Sequence, residues 1–519
     1  MASTFFGLTI AYSGLQAANT SLTITGHNVS NINTKGYTRQ QAGTQAADAL
    51  RTHTTYGAIG SGVVVTEISQ IRDSYYDVKY RNNMANYGQY SVKESYMGQI
   101  EDYLDEFTLN GYSQEYKNFF SAVNQLTITP GDTSAKNQLI NNAKSLADYF
   151  NTLTTNLRNV QADANNEIKD AVQQINSYAK NIAALNRQIN QIEANYGNAN
   201  DLRDKRNAMI DELSEIVNLE TSEEDMGNNV SNFSVRINGQ TLVSSYSYNT
   251  LETVARTDKK NYSDAEGLYD VQWNSGQKFD MYSTSLSGHL KGLIDIRDGN
   301  NGEHENIETD DDGNNVTDSD GNLVLTTAPA ADKTVSYKGV PYYQAQLNEF
   351  AKIFSDAVNK INKSCYASDG SSKGISLFVT QPNTTVMSAG NITVNPELLK
   401  NADLLAIKKE QNDGESDAKI MEELNKLQSE KIFAGGTGSY FLESIVSDMS
   451  IDSQKAVNLY KNYTDLKTSI HNQRLSIMGV DTDEEAMDMI KYQQAYNLNS
   501  KMMSVMNQIY DKLINQTGI

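Results

Sequence analysis

Near the N-terminus, apolar and small side chains recur with helical spacing. Leu8, Ala11, Leu15, Ala18 and Leu22 alternate steps of three and four, Thr25 interrupts the stripe, and Val29 and Ile32 resume it. That spacing predicts the seam of a helix in a coiled coil. The positions between are Ser, Thr, Asn and Gln with almost no charge, and so short a helix is marginal alone in water. A matching stripe lies at the other end of the chain. Ala495, Leu498, Met502, Val505 and Ile509 again step by three and four, within a helical stretch from Asp483 to Leu513. Asp481, Asp483, Glu484 and Glu485 stand at its start, where acids favour a helix N-terminus. Each stripe is narrow and neither end can bury its own, so the pattern predicts that the two ends pair.

The longest periodicity is internal. Ile168, Ala171, Ile175, Tyr178, Ile182, Leu185, Ile189, Ile192 and Tyr196 alternate steps of three and four without a break, which predicts a long helix that Gly197 ends. Leu153, Leu157, Val160 and Ala164 continue the stripe upstream with a phase slip, and a second helical block runs from Leu202 to Val217. From about 226 the period changes. Phe233, Val235 and Ile237 alternate with polar residues, Asn238-Gly239 supplies a hairpin turn, and Thr241 to Val243 return. Residues 299–338 are rich in Gly, Asn and Asp and read as an irregular insertion. Pro341 suits the first turn of a new helix through Leu347, Phe350, Phe354 and Val358. Residues 372–396 read as extended, 397–432 as helical with loops, and helices resume near 440.

The fold class predicted is mainly α with a β-rich middle, in an elongated multi-domain chain. Residues 1–55 with 480–519 form a terminal coiled-coil inner domain. Residues 56–225 with 340–479 form a helical-bundle body, and 226–339 a small β-rich outer region that includes the acidic insertion 299–338.

Composition narrows the function. A formal charge of −21 repels phosphate backbones, which argues against nucleic-acid binding. No run of about 18 apolar residues predicts a membrane span. Cys365 is the single cysteine, so no intrachain disulfide forms. The start, Met1-Ala2-Ser3-Thr4-Phe5-Phe6-Gly7, lacks the basic and apolar regions of a cleaved secretion signal. The reading is a cytoplasmic protein, or one exported without a cleaved signal.

Candidate chemistry is sparse. His304-Glu305 begins like a zinc-protease helix, but the second histidine position is Glu308. Glu308, Asp310, Asp312 and Gly313 resemble half of a calcium loop, yet the closing glutamate position is Ser319. The five histidines have no ligand-like spacing, and no phosphate loop or nucleophile elbow is present. No catalytic, cofactor or metal residue is assigned.

One passage is specific. The run Thr25-Gly26-His27-Asn28-Val29-Ser30-Asn31-Ile32-Asn33-Thr34-Lys35-Gly36-Tyr37-Thr38-Arg39-Gln40 resembles the Asn-rich signature of flagellar rod, hook and hook-associated proteins. Its Asn and Ser side chains compete for backbone hydrogen bonds and end a helix. Lys35-Gly36 suits a turn with positive φ at the glycine, and Tyr37 offers an aromatic anchor. The run Ile490-Lys491-Tyr492-Gln493-Gln494-Ala495-Tyr496-Asn497-Leu498 is similar to the terminal helix of the same superfamily. Two blocks, 201–214 and 286–298 followed by Pro341-Tyr342-Tyr343, narrow the resemblance to the hook-associated protein 1 family. The insertion 299–338 departs from that family.

The resemblance implies an extracellular, non-enzymatic axial protein of the bacterial flagellum. Its paired terminal helices would line a tubular assembly, and a ring of copies would join hook to filament. It implies export in unfolded form through the flagellar type III system. The partners implied are further copies of the chain, the hook protein, hook-associated protein 3 and an export chaperone, with no nucleic acid and no membrane. The assembly residues expected are the two stripes, and the signature residues are Asn28, Asn31, Asn33, Gly36 and Tyr37. Flagellin or hook-associated protein 3 would also carry paired ends, but they lack the Asn-Thr-Lys-Gly-Tyr run and the 201–213 block. An enzyme or adhesin displayed on the flagellum would need chemistry that the chain does not show.

Overall fold

The computed structural model describes residues 6–51, 58–104, 111–310, 312–329, 336–368, 370, 372–414 and 417–516. In chain order the helices are α1 Phe6–Ser30, α2 Ser74–Leu104, α3 Tyr112–Ile128, α4 Thr133–Glu193, α5 Asn200–Ile216, α6 His289–Asp298, α7 Val340–Ser364, α8 Pro396–Lys400, α9 Lys419–Lys426, α10 Gly438–Met478 and α11 Thr482–Asn515. The chain divides into two units. One comprises Met1–Ala85, Ile175–Thr250 and Tyr463–Ile519, the other Asn86–Gln174 and Leu251–Asn462. The protein is mainly α with a β-rich middle, as the pattern predicts.

In the unit that holds both ends, α1 packs along α11. Strand Gln40–Ala46 pairs antiparallel with Val63–Gln70 and packs on the side of α1. A four-stranded antiparallel meander follows α5, with strands Glu220–Asp225, Ser231–Ile237, Gln240–Ser244 and Ser247–Tyr248 in sequence order. Its predicted turn is present: Asn238 and Gly239 both have positive φ, 51° and 76°, as a two-residue hairpin of this twist requires. The part of α4 in this unit buries Ile175, Ala179, Ile182, Asn186 and Ile189. The inward line therefore drifts off the predicted one, leaving Tyr178 and Leu185 half-buried and Ile192 exposed. The helix stops at Glu193, so Tyr196 sits in the following turn at φ 63° and is 90 % exposed. Drift of this kind follows from 3.6 residues per turn against a strict seven-residue repeat.

The other unit is built on an aromatic core. Tyr116, Phe119 and Phe120 of α3, Phe150 of α4, Phe350 and Phe354 of α7, and Phe378, Phe433 and Phe441 are buried. Their rings approach to 4.8–6.3 Å between centroids, with Phe350 stacked on Phe433 at 4.9 Å. Helix α7 starts where Pro341 predicts, with the proline in its first turn.

The insertion is ordered where it is described. Glu303–Ile307 pairs antiparallel with Leu325–Pro329. Between them Thr-Asp-x-Asp-Gly-Asn-x-Val occurs twice in tandem, at 309–316 and 317–324. The two copies fold alike. Asp310 Oδ1 accepts from Asp312 N and Asn314 N at 3.0 and 2.8 Å, and Asp318 Oδ1 accepts from Asp320 N and Asn322 N, both at 2.8 Å. Gly313 and Gly321 take φ near 83° and 82°. The expectation of an irregular segment is corrected here. An eight-residue repeat with Asx turns builds a ladder that neither hydrophobic periodicity nor composition signals. Asp310 and Asp318 are occupied in closing their own turns, and among the described residues no group of three or more His, Cys, Asp or Glu is arranged to hold a metal ion.

Candidate functional site

The residues singled out at the two ends meet where α1 lies against α11. Gly7 is against Met506, and a β-carbon there would come within 2.9 Å of its Cε. At Gly14 a β-carbon would meet the Asn499 side chain at 2.7 Å. Asn28 Nδ2 donates to Glu485 Oε1 at 3.0 Å. Moving two turns along α1 moves the contact two turns back along α11, so the helices run antiparallel in one register. By helical spacing Ala11, Ala18, Ser21 and Thr25 share this line, and all four are buried. The contact face of α1 is therefore a stripe of Gly, Ala, Ser, Thr and Asn.

This revises both expected seams. On α1, Ala11 and Ala18 lie on the contact line, while Leu8, Leu15, Leu22 and Val29 are half-buried one position to the side. Thr25 continues the stripe and does not interrupt it. Ile32 lies beyond the helix and is exposed. On α11, Tyr492, Ala495, Asn499, Met503, Met506 and Tyr510 are half-buried and Glu485 is fully buried. Leu498, Met502, Val505 and Ile509 instead face outward, at 69, 39, 45 and 47 % exposure. The pattern picks the more apolar stripe of α11, but the small side chains of α1 admit the adjacent one. The bare backbone at Gly7 and Gly14 leaves room for the flexible Met506 and for Asn499. One residue of phase rotates a helix by about 100°, which carries the apolar stripe out of the contact.

The signature residues knot this pair to the rest of the unit. Asn28 Nδ2 also donates to Gln40 O at 2.9 Å, while its Oδ1 accepts from Gln40 N at 3.0 Å and from Tyr37 OH at 2.8 Å. Asn31 Nδ2 donates to His27 O and its Oδ1 accepts from Thr34 Oγ1, closing the end of α1. Gly36 takes φ 81°, and a β-carbon there would meet Ala208 of α5 at 3.0 Å. Asn33 is exposed. Arg39 then reaches α11: Nε donates to Glu485 Oε1 and Nη1 to Glu484 Oε2, both at 2.8 Å, and its backbone N donates to Met478 O at 2.9 Å. Thr38 anchors the loop on α5, giving Asp204 two hydrogen bonds at 2.9 and 2.7 Å. Asp481 caps α11, accepting from Asp483 N and Glu484 N. Beside the loop, Ile32, His471, Arg474, Leu475 and Met478 line a cleft of about 390 Å³.

Burial raises the Asp204 carboxyl above its ordinary value, against the Thr38 hydrogen bonds and Arg72, which pull it down. Burial, then Asp201 and Asp204, push the Tyr37 phenol well above its usual value, so it stays a donor to Asn28 at neutral pH. Pattern reading missed Arg39, Asp204 and Glu485. The available signal was an acid at 485 that lies on the heptad line of 499 and 506.

The two family-like blocks are ionic girders. Arg203 grips Glu193 at 2.6 Å and Glu223 at 2.9 Å. The buried Arg206 stacks on the Phe233 ring at 3.8 Å and pairs with Glu223, and burial lowers its guanidinium to about 10. In the other unit, Asp298 is held by Arg297 and Arg256 at 2.6 and 2.7 Å. Burial pushes its carboxyl up, but the two guanidiniums outweigh it and leave it below its ordinary value.

Comparison with known proteins agrees with this architecture. The family model described as flagellar hook-associated protein FlgK helical domain matches residues 97–378, and flagellar basal body rod FlgEFG protein C-terminal matches 471–516. Flagellar hook-associated protein 1 of Bacillus subtilis is 27 % identical over all of this chain and 99 % of its own length. That of Salmonella typhimurium is 28 % identical over 97 % of this chain and 98 % of its own. The solved flagellar hook junction protein FlgK from Burkholderia pseudomallei shares the fold at a TM-score of 0.59 and 15 % identity, covering 77 % of this chain and all of the other. The match to the helical domain spans more than half of the sequence, and the chain belongs to the flagellar hook-associated protein FlgK family, whose members are axial components of the flagellum.

Proposed function

We propose that the chain is the adaptor between hook and filament, assembled as a ring of copies outside the cell. The observation that carries this reading is the outward stripe of α11. Leu498, Met502, Val505 and Ile509 form an apolar line along a helix whose other face is already occupied by α1. An exposed apolar line of this length suits a contact surface, and neighbouring subunits of an axial tube would cover it. The relatives' names, hook-associated protein and hook junction protein, support the same place. Hook protein on one side and hook-associated protein 3 on the other are the neighbours the reading requires. Export in unfolded form by the flagellar type III system, with a dedicated chaperone, fits a chain with a single cysteine and 5 prolines. On α1 the contact residues of the terminal pair are small, which suits ends that complete their packing on assembly.

A strain lacking the protein tests the reading. Hooks should be intact and bare, with flagellin shed into the medium. Normal filaments on those hooks would overturn it.

A further inference from the structure

We infer that Glu485 sets the register of the terminal helical pair. The seam by itself selects weakly. Gly7 and Gly14 receive Met506 and Asn499, but Ala11, Ala18, Ser21 and Thr25 of α1 are nearly as small, and a flexible side chain set against one of them by a one-turn slide can rotate away. The Asn499 amide adds no hydrogen bond across the pair, because it donates to Ala495 O of its own helix at 2.9 Å. Glu485 is different in kind. It is the buried position of α11, and its Oε1 accepts both from Asn28 Nδ2 at 3.0 Å and from Arg39 Nε at 2.8 Å. These two donors are themselves fixed, Asn28 by the Gln40 backbone and Arg39 by Met478 O. In any shifted register the carboxylate would be buried away from both donors, or the donors would face an apolar side chain. A buried polar contact that is satisfied in one alignment selects that alignment, as a lone polar core residue does in a coiled coil. Glu484 and Asp488, which also approach Arg39, are exposed or half-exposed and tolerate a shift.

Disulfide trapping on the full-length chain reads the register directly, since the native Cys365 is buried. Gly14→Cys is combined in turn with Asn499→Cys, or with Ala495→Cys or Met503→Cys in an Asn499→Ala background, because a β-carbon at 14 would otherwise meet the Asn499 side chain at 2.7 Å; the three partners lie one turn apart on the same face of α11. In the native background the 14–499 pair should give nearly all of the cross-linked product. Glu485→Gln, which keeps an acceptor oxygen, should leave that preference intact. Glu485→Leu should keep the helices paired but spread the product over the three partners, lowering the 14–499 preference at least several-fold. A 14–499 preference unchanged in Glu485→Leu would overturn the inference. So would loss of all cross-linking in that variant, which would make Glu485 necessary for pairing itself and not for register.

Discussion

The terminal pair and the aromatic core of the other unit solve opposite problems. In the core, large rings meet large rings: Phe350 is buried against Phe150, Phe354 and Phe433, with centroids 4.9–5.7 Å apart. The terminal helices meet where glycine, alanine, serine and threonine of α1 face Met506 and Asn499 of α11, while Leu498, Met502, Val505 and Ile509 of α11 are exposed. The core buries its apolar surface within its own chain, and the pair leaves a stripe of its apolar surface exposed. Apolar content therefore marks the inside of one region and the outside of the other.

The comparison can be broken by substitution. Phe350→Ala removes a fully buried ring and should cost roughly 3–5 kcal/mol of stability, read as a fall in the denaturant midpoint. Leu498→Ala, a change of similar type on α11, should stay within about 0.5 kcal/mol, as exposed positions do. Similar losses at both would mean that the outward stripe is covered within the chain. Asp204→Ala leaves the Thr38 backbone and hydroxyl donors buried without their acceptor, at a cost of about 1–3 kcal/mol. That loss should loosen the signature loop more than the aromatic core. Hydrogen exchange sharpens the contrast further. Amides of α1 and α11 should exchange well before those of α3 and α7, because few large contacts hold them; equal protection would count against the account.

Much of this was legible in the residues. The existence of both terminal helices, their pairing, the Asn238-Gly239 turn and the start at Pro341 all follow from local chemistry that tertiary packing does not override. The phase of the pairing was hidden, because hydrophobic periodicity assumes that the most apolar stripe faces the nearest partner. Here the small-residue face of α1 takes the adjacent stripe, and the deciding residues, Gly7 and Gly14, carry no hydrophobic signal at all. Arg39 and Glu485 lie far apart in sequence and meet only once the fold exists. The hairpin of the insertion was missed for another reason: its regularity resides in an eight-residue repeat of turn residues, which composition reads as an irregular segment.

The smallest effect comes from that hairpin. Asp356 of α7 is raised to about 6, by burial first and then by Asp318 and Asp320. A carboxyl raised in the folded state favours folding while protonated, and this contribution is lost as pH rises from its ordinary value near 3.8 through about 6. Asp356→Asn should therefore melt slightly above the native chain at pH 7.5 and at the same temperature below pH 4. Solvent screening keeps the shift small, since the group is partly exposed. An advantage that persists at acid pH would point to packing in place of charge.

The central claim is that the outward stripe of α11 belongs to subunit contacts and not to the pairing of α1 with α11. Met502→Asp, introduced in the chromosomal copy, tests it by comparing flagellar incorporation with the behaviour of the purified chain. The account predicts that the variant is secreted but absent from the hook tip, while its unfolding midpoint and its 14–499 cross-link match those of the native chain. Normal incorporation, or loss of that cross-link in the monomer, would contradict it.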